Sequence, residues 1–193
     1  VHDQPVSLLA AGEPEHVAQY ERDRTGLLSS NGPEVGGFVR TSSRLAGPDL
    51  QFLCLPIMVA DNFLSPPTRH AVSFGASVLK PASRGHVTLY SGEPTAKPKI
   101  VQNYLADPAD LETALAGLRI SLELSRQAAL KPYTVEAHAA PTSDAESELR
   151  VFARQHTQTG FHPAGTCAMG SVVDAELRVD GIDGLRVVDA SVM

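Results

Sequence analysis

Apolar positions along the chain come first in short runs and later at helical spacing, and each rhythm predicts a different element. From Val6 to about Gly47, Gly and Pro punctuate the sequence and no period is sustained. Ser29-Ser30-Asn31-Gly32-Pro33 has turn chemistry, and Gly36-Gly37 leads into a short expected strand, Phe38–Thr41. The runs Leu50–Leu55, Ala71–Leu79, His86–Tyr90 and Lys99–Tyr104 also read as strands, each bounded by Pro, Gly, Ser or Asp. Their close spacing, with turns at Ser83-Arg84-Gly85 and Ser91-Gly92-Glu93-Pro94, predicts hairpins and an antiparallel sheet.

Helical spacing begins at Asp107-Pro108. Asp107 can cap free backbone donors, and Pro108 fits the first helical position, where its missing N–H costs nothing. Leu111, Leu115, Leu118 and Leu122 then share one face, which is expected to pack on the sheet before Lys131-Pro132 closes the segment. A second helix is expected from Ser143, with Ser143 and Glu146 as a capping box, Leu149 and Phe152 as its apolar face and Gly160 as its C-terminal cap. Past Gly160 the texture changes: Phe161–Gly170 is rich in Gly, Ala, Thr and His. Three brief apolar runs follow, Val172-Val173, Leu177–Val179 and Leu185–Val188, separated by Asp and Gly turns.

Composition narrows the classes. The chain has 193 residues, 42% hydrophobic and 20% charged, which suits a globular fold that hides roughly 70% of the surface of its unfolded chain. A net charge of −6 without any Lys/Arg block argues against nucleic-acid binding. The apolar stretch Phe52–Ala60 is far too short for a bilayer span and is broken by Pro56. Cys54 and Cys167 lie far apart, which suits a reducing, cytoplasmic compartment better than a disulfide framework. The start at Val1-His2-Asp3-Gln4-Pro5 carries no signal-peptide pattern, and with the stop at Met193 it reads as a fragment of a longer protein.

The chemistry concentrates in Thr159–Gly170. Pro163 keeps the backbone of His162 extended and narrows the directions open to its side chain. Gly160 and Gly165 allow a tight bend or close approach to a flat partner. An imidazole so held suits proton transfer near neutral pH, although on these residues alone a structural His that hydrogen-bonds its loop is the plainer alternative. His70, His86 and His138 read as surface or hydrogen-bonded core residues, and His156 as part of a solvated helix face. His162 and Cys167 have no second ligand pair at metal-binding spacing, so no metal site is expected.

Three blocks then stand in order: His162-Pro163-Ala164-Gly165-Thr166-Cys167-Ala168-Met169-Gly170, Val172–Val179, and Gly184-Leu185-Arg186-Val187-Val188-Asp189-Ala190-Ser191. Together they resemble the carboxy-terminal signature of the glucose–methanol–choline (GMC) oxidoreductases. Leu79–Val87 resembles a strand–turn–strand of that family's substrate domain, Pro98–Leu105 the segment after it, and His2-Asp3-Gln4-Pro5 the exit from its flavin domain. Within that family the chain looks like choline and related alcohol dehydrogenases.

The resemblance implies an α+β fold: residues 1–35 link from the flavin domain, 36–142 form an antiparallel-sheet substrate domain with helices on one face, and 143–193 belong to the FAD-binding domain. It implies FAD as cofactor, a small-molecule alcohol as substrate, and oxidation of its CH–OH group by hydride transfer, with His162 as the base. It also implies that Phe161, Asp189 and Ala190 contact FAD, the last two through main-chain donors. Arg178 and Val179 would lie near substrate or oxygen. A strand-end turn at Asp189-Ala190 and a solvated charge at Arg178 are the plainer alternatives. The family's G-x-G-x-x-G turn does not occur in the sequence, and the second catalytic His or Asn is expected beyond Met193. The fragment alone is therefore expected to be inactive and to bind FAD poorly. A hydroxynitrile lyase on the same fold, or a non-catalytic fragment without flavin, are the rival readings.

Overall fold

The computed structural model describes Val1 and residues 7–193. The His2-Asp3-Gln4-Pro5 motif lies outside the described residues. The chain forms two compact units, Val1–Ala82 with Leu105–His156, and Ser83–Tyr104 with Thr157–Met193.

In the first unit, helix α1 (Pro14–Asp23) occupies a stretch where no element was expected. Pro14 starts it and Arg24, at φ 57°, ends it, but none of its residues is buried, so it has no apolar stripe for periodicity to reveal. Strand β1 (Val35–Val39) begins three residues before the expected Phe38 and includes Gly36-Gly37. Gly36 is needed there: a Cβ would stand 2.5 Å from the carbonyl oxygen of Phe52 across the ladder. The central strand β2 (Leu50–Leu55) pairs antiparallel with β1 and with β3 (Ser73–Val78). Leu50 and Phe52 alternate along β2 onto one buried face, opposite Val78 and Ala76 of β3.

Helix α2 (Pro108–Ser125) starts as its sequence dictates, with the Asp107 side chain accepting from the amide of Ala109 at 2.8 Å and Pro108 in the first turn. Its leucine stripe goes elsewhere than expected. Leu111 and Leu115 form a core with Leu105 and with Leu149 and Ala153 of α3 (Glu146–His156), and Leu118 and Leu122 pack against that cluster. Toward the sheet α2 presents Gly117, where a Cβ would lie 2.8 Å from Ala76 Cβ and 3.2 Å from Leu50 Cδ2. A missing side chain thus lets the helix lie close on the strands.

Helix α3 begins at Glu146, not Ser143, and its start is organised by Glu148. Glu148 accepts from the Thr142 amide at 2.7 Å and from the Ser143 hydroxyl at 2.8 Å, while Glu146 turns to Arg150, whose Nε donates to it at 3.0 Å. The expected Ser143–Glu146 box is therefore displaced by a carboxylate two residues on. The helix ends at His156, whose ring stacks on Phe152 at 3.9 Å, so Gly160 is not its cap.

In the second unit, β4 (His86–Thr88) and β5 (Lys99–Val101) make a separate antiparallel hairpin. Gly85 allows it, because a Cβ there would meet the Val101 carbonyl oxygen at 2.2 Å. The α+β class and the antiparallel pairing are as the runs predicted, with the strands divided between two sheets. Residues 157–193 carry isolated bridges and one 3-10 turn, Ala190–Val192, and the buried apolar residues of this unit are Val173 and Val192.

Candidate functional site

The loop that carries His162 is shaped by its own sequence. Thr159 Oγ1 accepts from the Phe161 amide at 2.9 Å, and Phe161 sits at φ 60°, a left-handed conformation uncommon for an aromatic residue. Gly165 then turns the chain at φ 92°. Between them His162 is exposed, and its ring has no hydrogen-bond partner among the described residues. Phe161 is also exposed, at 68% of its surface.

From Gly165 onward the loop runs along the chain's last residues. The Cys167 amide donates to the Ser191 carbonyl at 2.9 Å and the Met169 amide to the Val192 carbonyl at 3.0 Å. A Cβ on Gly165 would lie 3.7 Å from the Met193 carbonyl oxygen, which is open contact. Residues 23 and 24 positions apart are thereby joined, and the His162 loop and the Asp189-Ala190 turn belong to one local assembly. Asp189, extended at φ −152°, caps the Ala190–Val192 turn: its Oδ1 accepts from the Ser191 amide at 2.9 Å and from the Ser191 hydroxyl. These two bonds, the hydroxyl one foremost, hold the Asp189 carboxyl below the usual carboxylate range.

Arg178 and Val179 lie in a ladder beside this assembly. Val173, fully buried, bridges Val179, and Arg178 bridges Arg186. Asp174 organises the bend between them. It accepts from the Arg178 amide at 2.9 Å, the Glu176 amide at 3.0 Å and Arg178 Nε at 2.7 Å. The bond from the Arg178 amide is the main reason the Asp174 carboxyl is held low, and the bond to Asp174 raises Arg178 in turn. The guanidinium also reaches Glu176 at 3.2 Å, and no hydrogen bond or ion pair ties Arg178 or Val179 to His162 among the described residues.

Asp174 and Ser191 are the residues that the sequence reasoning missed. Both had a local signal, because an Asp whose side chain bonds the amide two residues on is the signature of an Asx turn, present in Asp174-Ala175-Glu176 and Asp189-Ala190-Ser191. Elsewhere, the Ser7 hydroxyl lies 2.8 Å from His70 Nδ1, and His156 Nδ1 lies 3.0 Å from the Phe152 carbonyl. No group of three His, Cys, Asp or Glu side chains is placed to hold a metal among the described residues. Surface grooves open beside Arg126 and Asp144 in the first unit and beside Arg178 and Gly184 in the second; neither is lined by His162. No helix of the described residues is long and apolar enough to cross a membrane.

Chemically, the assembly offers an exposed imidazole, main-chain groups in a turn bound to its loop, and apolar surface at Phe161, Met169, Val188 and Met193. A flat, largely apolar ring with polar edges fits such a surface. The diphosphate of FAD would need a glycine-rich turn that these 193 residues do not contain.

Comparison with known proteins gives a consistent result. Residues 81–193 match the sequence profile of the GMC oxidoreductase family. An uncharacterized GMC-type oxidoreductase of Mycobacterium bovis is 41% identical over 97% of this chain, and the match spans 37% of that protein. An oxygen-dependent choline dehydrogenase of Klebsiella pneumoniae is 38% identical over 98% of this chain and 36% of its own length. Among solved structures, formate oxidase superposes over 92% of this chain and 36% of its own with a TM-score of 0.79 at 26% identity. Pyridoxine 4-oxidase from Mesorbium loti does so over 81% and 32% with a TM-score of 0.70 at 27% identity. The chain thus spans little more than a third of the relatives it matches.

Proposed function

The chain belongs to the GMC oxidoreductase family, and on that premise we propose that it is the carboxy-terminal part of an FAD-dependent enzyme that oxidises a small alcohol at its CH–OH group. The observation that carries this reading is the conjunction at the site: an exposed imidazole ahead of Pro163, on a loop hydrogen-bonded to the Asp189–Val192 turn. Relatives named for choline and pyridoxine, both alcohols, support the substrate class.

FAD, when bound, supplies the hydride acceptor. His162 has the step that precedes hydride loss. An alcohol holds its proton tightly, so the C–H bond becomes a hydride donor only as negative charge develops on oxygen. Neutral imidazole accepts the hydroxyl proton at a ring nitrogen, and the imidazolium that results faces the oxyanion it has created. Pro163 restricts the approach of the ring, and Phe161 gives the flavin an apolar neighbour. The main chain at Asp189 and Ala190 offers donors to the cofactor, and Arg178 and Val179 border the substrate or oxygen side.

In this reading residues 1–35 lead out of the flavin domain, 36–142 form the substrate side and 143–193 return to the flavin side. The phosphate cradle comes from the rest of the parent protein, and the 193 residues by themselves bind FAD poorly and do not turn over substrate. The test is made on the full-length protein. His162→Ala should keep its yellow flavin while anaerobic reduction by a primary alcohol slows about 10²–10⁴-fold, the usual worth of such a base. Reduction near the wild-type rate would show that His162 is not the base, and a colourless parent protein would favour a non-catalytic chain.

A further inference from the structure

We infer that Asp189 is a positioning residue: one oxygen of its carboxylate fixes the Ala190–Val192 turn, and the turn in its place fixes the loop that carries His162. The inference rests on the reading of His162 as the base.

The side chain of Asp189 is already committed. Both bonds that it makes within the turn, from the Ser191 amide and the Ser191 hydroxyl, converge on the same oxygen, Oδ1. They tie the extended residue Asp189 to the start of the turn, so the direction in which Ser191 and Val192 present their carbonyls follows from them. Those carbonyls are the acceptors for the Cys167 and Met169 amides. The segment Gly165–Met169 is thus laid along Ser191–Met193, at a register set by a cap that lies outside the loop. Beyond Gly165, His162–Ala164 extends without further anchoring bonds among the described residues, so its position depends on the anchored end. Val192, 8% exposed, is the buried apolar side chain of the turn; its backbone closes through the Val192 amide to the Asp189 carbonyl at 3.3 Å and the Met193 amide to the Ala190 carbonyl at 3.2 Å, and the Asp189 cap adds the side-chain restraint.

Two properties separate this role from a direct one. An acceptor oxygen, not a charge, is what the turn uses, and Asn retains it. The effect also passes through Ser191. In the full-length protein, the flavin-loaded fraction of Asp189→Ala should reduce roughly 10–100-fold more slowly with substrate, the scale of a displacement of about 1 Å in a reacting group. Asp189→Asn should stay within a few-fold of wild type. Ser191→Ala, which keeps the amide bond and loses the hydroxyl one, should be several-fold slow, and adding it to Asp189→Ala should change little. Independently of turnover, amide exchange at Cys167 and Met169 should quicken in Asp189→Ala and not in Asp189→Asn.

Wild-type reduction in Asp189→Ala overturns the inference. So does an Asn variant as slow as the Ala variant, which would assign the charge a direct part. Where Asp189→Ala does not accumulate folded, Ser191→Ala decides, and wild-type reduction and exchange in it count against the proposal. His162→Ala serves as the control. If that variant reduces normally the reading beneath has failed, whereas a slow His162→Ala beside a normal Asp189→Ala removes this inference alone.

Discussion

The two units of the chain are held together in different ways. In the first, apolar side chains meet one another: Leu105, Leu111, Leu115, Leu149 and Ala153 close a core between α2 and α3, and Leu50 and Ala76 lie against α2 at Gly117. In the second, backbone groups and carboxylates do the holding. Val173 and Val192 are its buried apolar side chains, while Leu89 is 88% exposed, Tyr90 79% and Val188 73%. Single isolated hairpins are marginal in water, and contiguous exposed apolar groups mark surfaces made to be covered. A unit of this kind suits a chain that spans 37% of its relatives.

The first unit should not tolerate loss of its apolar core. Leu115 is fully buried at the centre of the α2–α3 cluster. Leu115→Ala should cost about 2–5 kcal/mol, from lost transfer energy and the cavity left behind. Native-state exchange of the α2 amides should report it, with the amides of Cys167 and Met169 little changed. Equal loosening of both sets would mean that the two units unfold as one.

A smaller effect tests the close approach of helix and sheet. Gly117→Ala adds a methyl group 2.8 Å from Ala76 Cβ. Helix propensity alone would favour Ala by about 1 kcal/mol, and overpacking typically costs about 1–3 kcal/mol. A net loss of about 1 kcal/mol is expected, read as a lower urea midpoint. A gain would show that α2 can lift from the strands at little cost. In the second unit Val173→Ala should cost about 1–2 kcal/mol for two methyl groups, felt as faster exchange at Gly170, Val179 and Asp180 only.

The same contrast explains what could be read from sequence. Strands β2, β4 and β5 and the start of α2 were legible because apolar runs, turn residues and the Asp107-Pro108 cap are local signals that burial later confirms or leaves intact. Helix α1 was not, because a helix without a buried residue has no period to detect. The start of α3 was misread because two glutamates two positions apart compete for the same hydroxyls, and Glu148 wins while Arg150 and Arg119 draw Glu146 away. The leucine spacing of α2 defines a face but not its partner, which is α3 and not the sheet. At the site, the motif pointed to His162, yet the pairing of Cys167 with Ser191 joins residues far apart in sequence and leaves no trace in any local pattern. Phe161 at positive φ was equally hidden, because nothing in an aromatic side chain announces a left-handed backbone.

Acid should separate the two units by the smallest and most graded effect. Asp174 and Asp189 are both held below the ordinary carboxylate range, chiefly by the Arg178 amide in one case and the Ser191 hydroxyl in the other. A carboxyl whose folded pKa is depressed contributes stability that is present above its unfolded value, about 3.9, and is lost as pH falls through the folded value. Asp144, Glu146 and Glu148 behave in the same direction in the first unit, so both units weaken below about pH 4. The Leu105–Leu111–Leu115–Leu149–Ala153 core is apolar, and the buried carboxylate on α2, Asp110, accepts from the Ala82 amide at 2.8 Å near the helix start, so the core should keep the middle of α2 protected while the tail opens. Protection factors for Cys167, Met169 and Arg178 should therefore fall between about pH 5 and pH 3 ahead of that for Leu115. Added salt should weaken the Arg178–Asp174 pair, which is exposed and charged on both sides, more than the Asp189 cap, whose partners are neutral. A tail that kept its protection to pH 3 while α2 lost its own would reverse the ranking, and would mean that the carboxylate turns are not what orders the His162 loop.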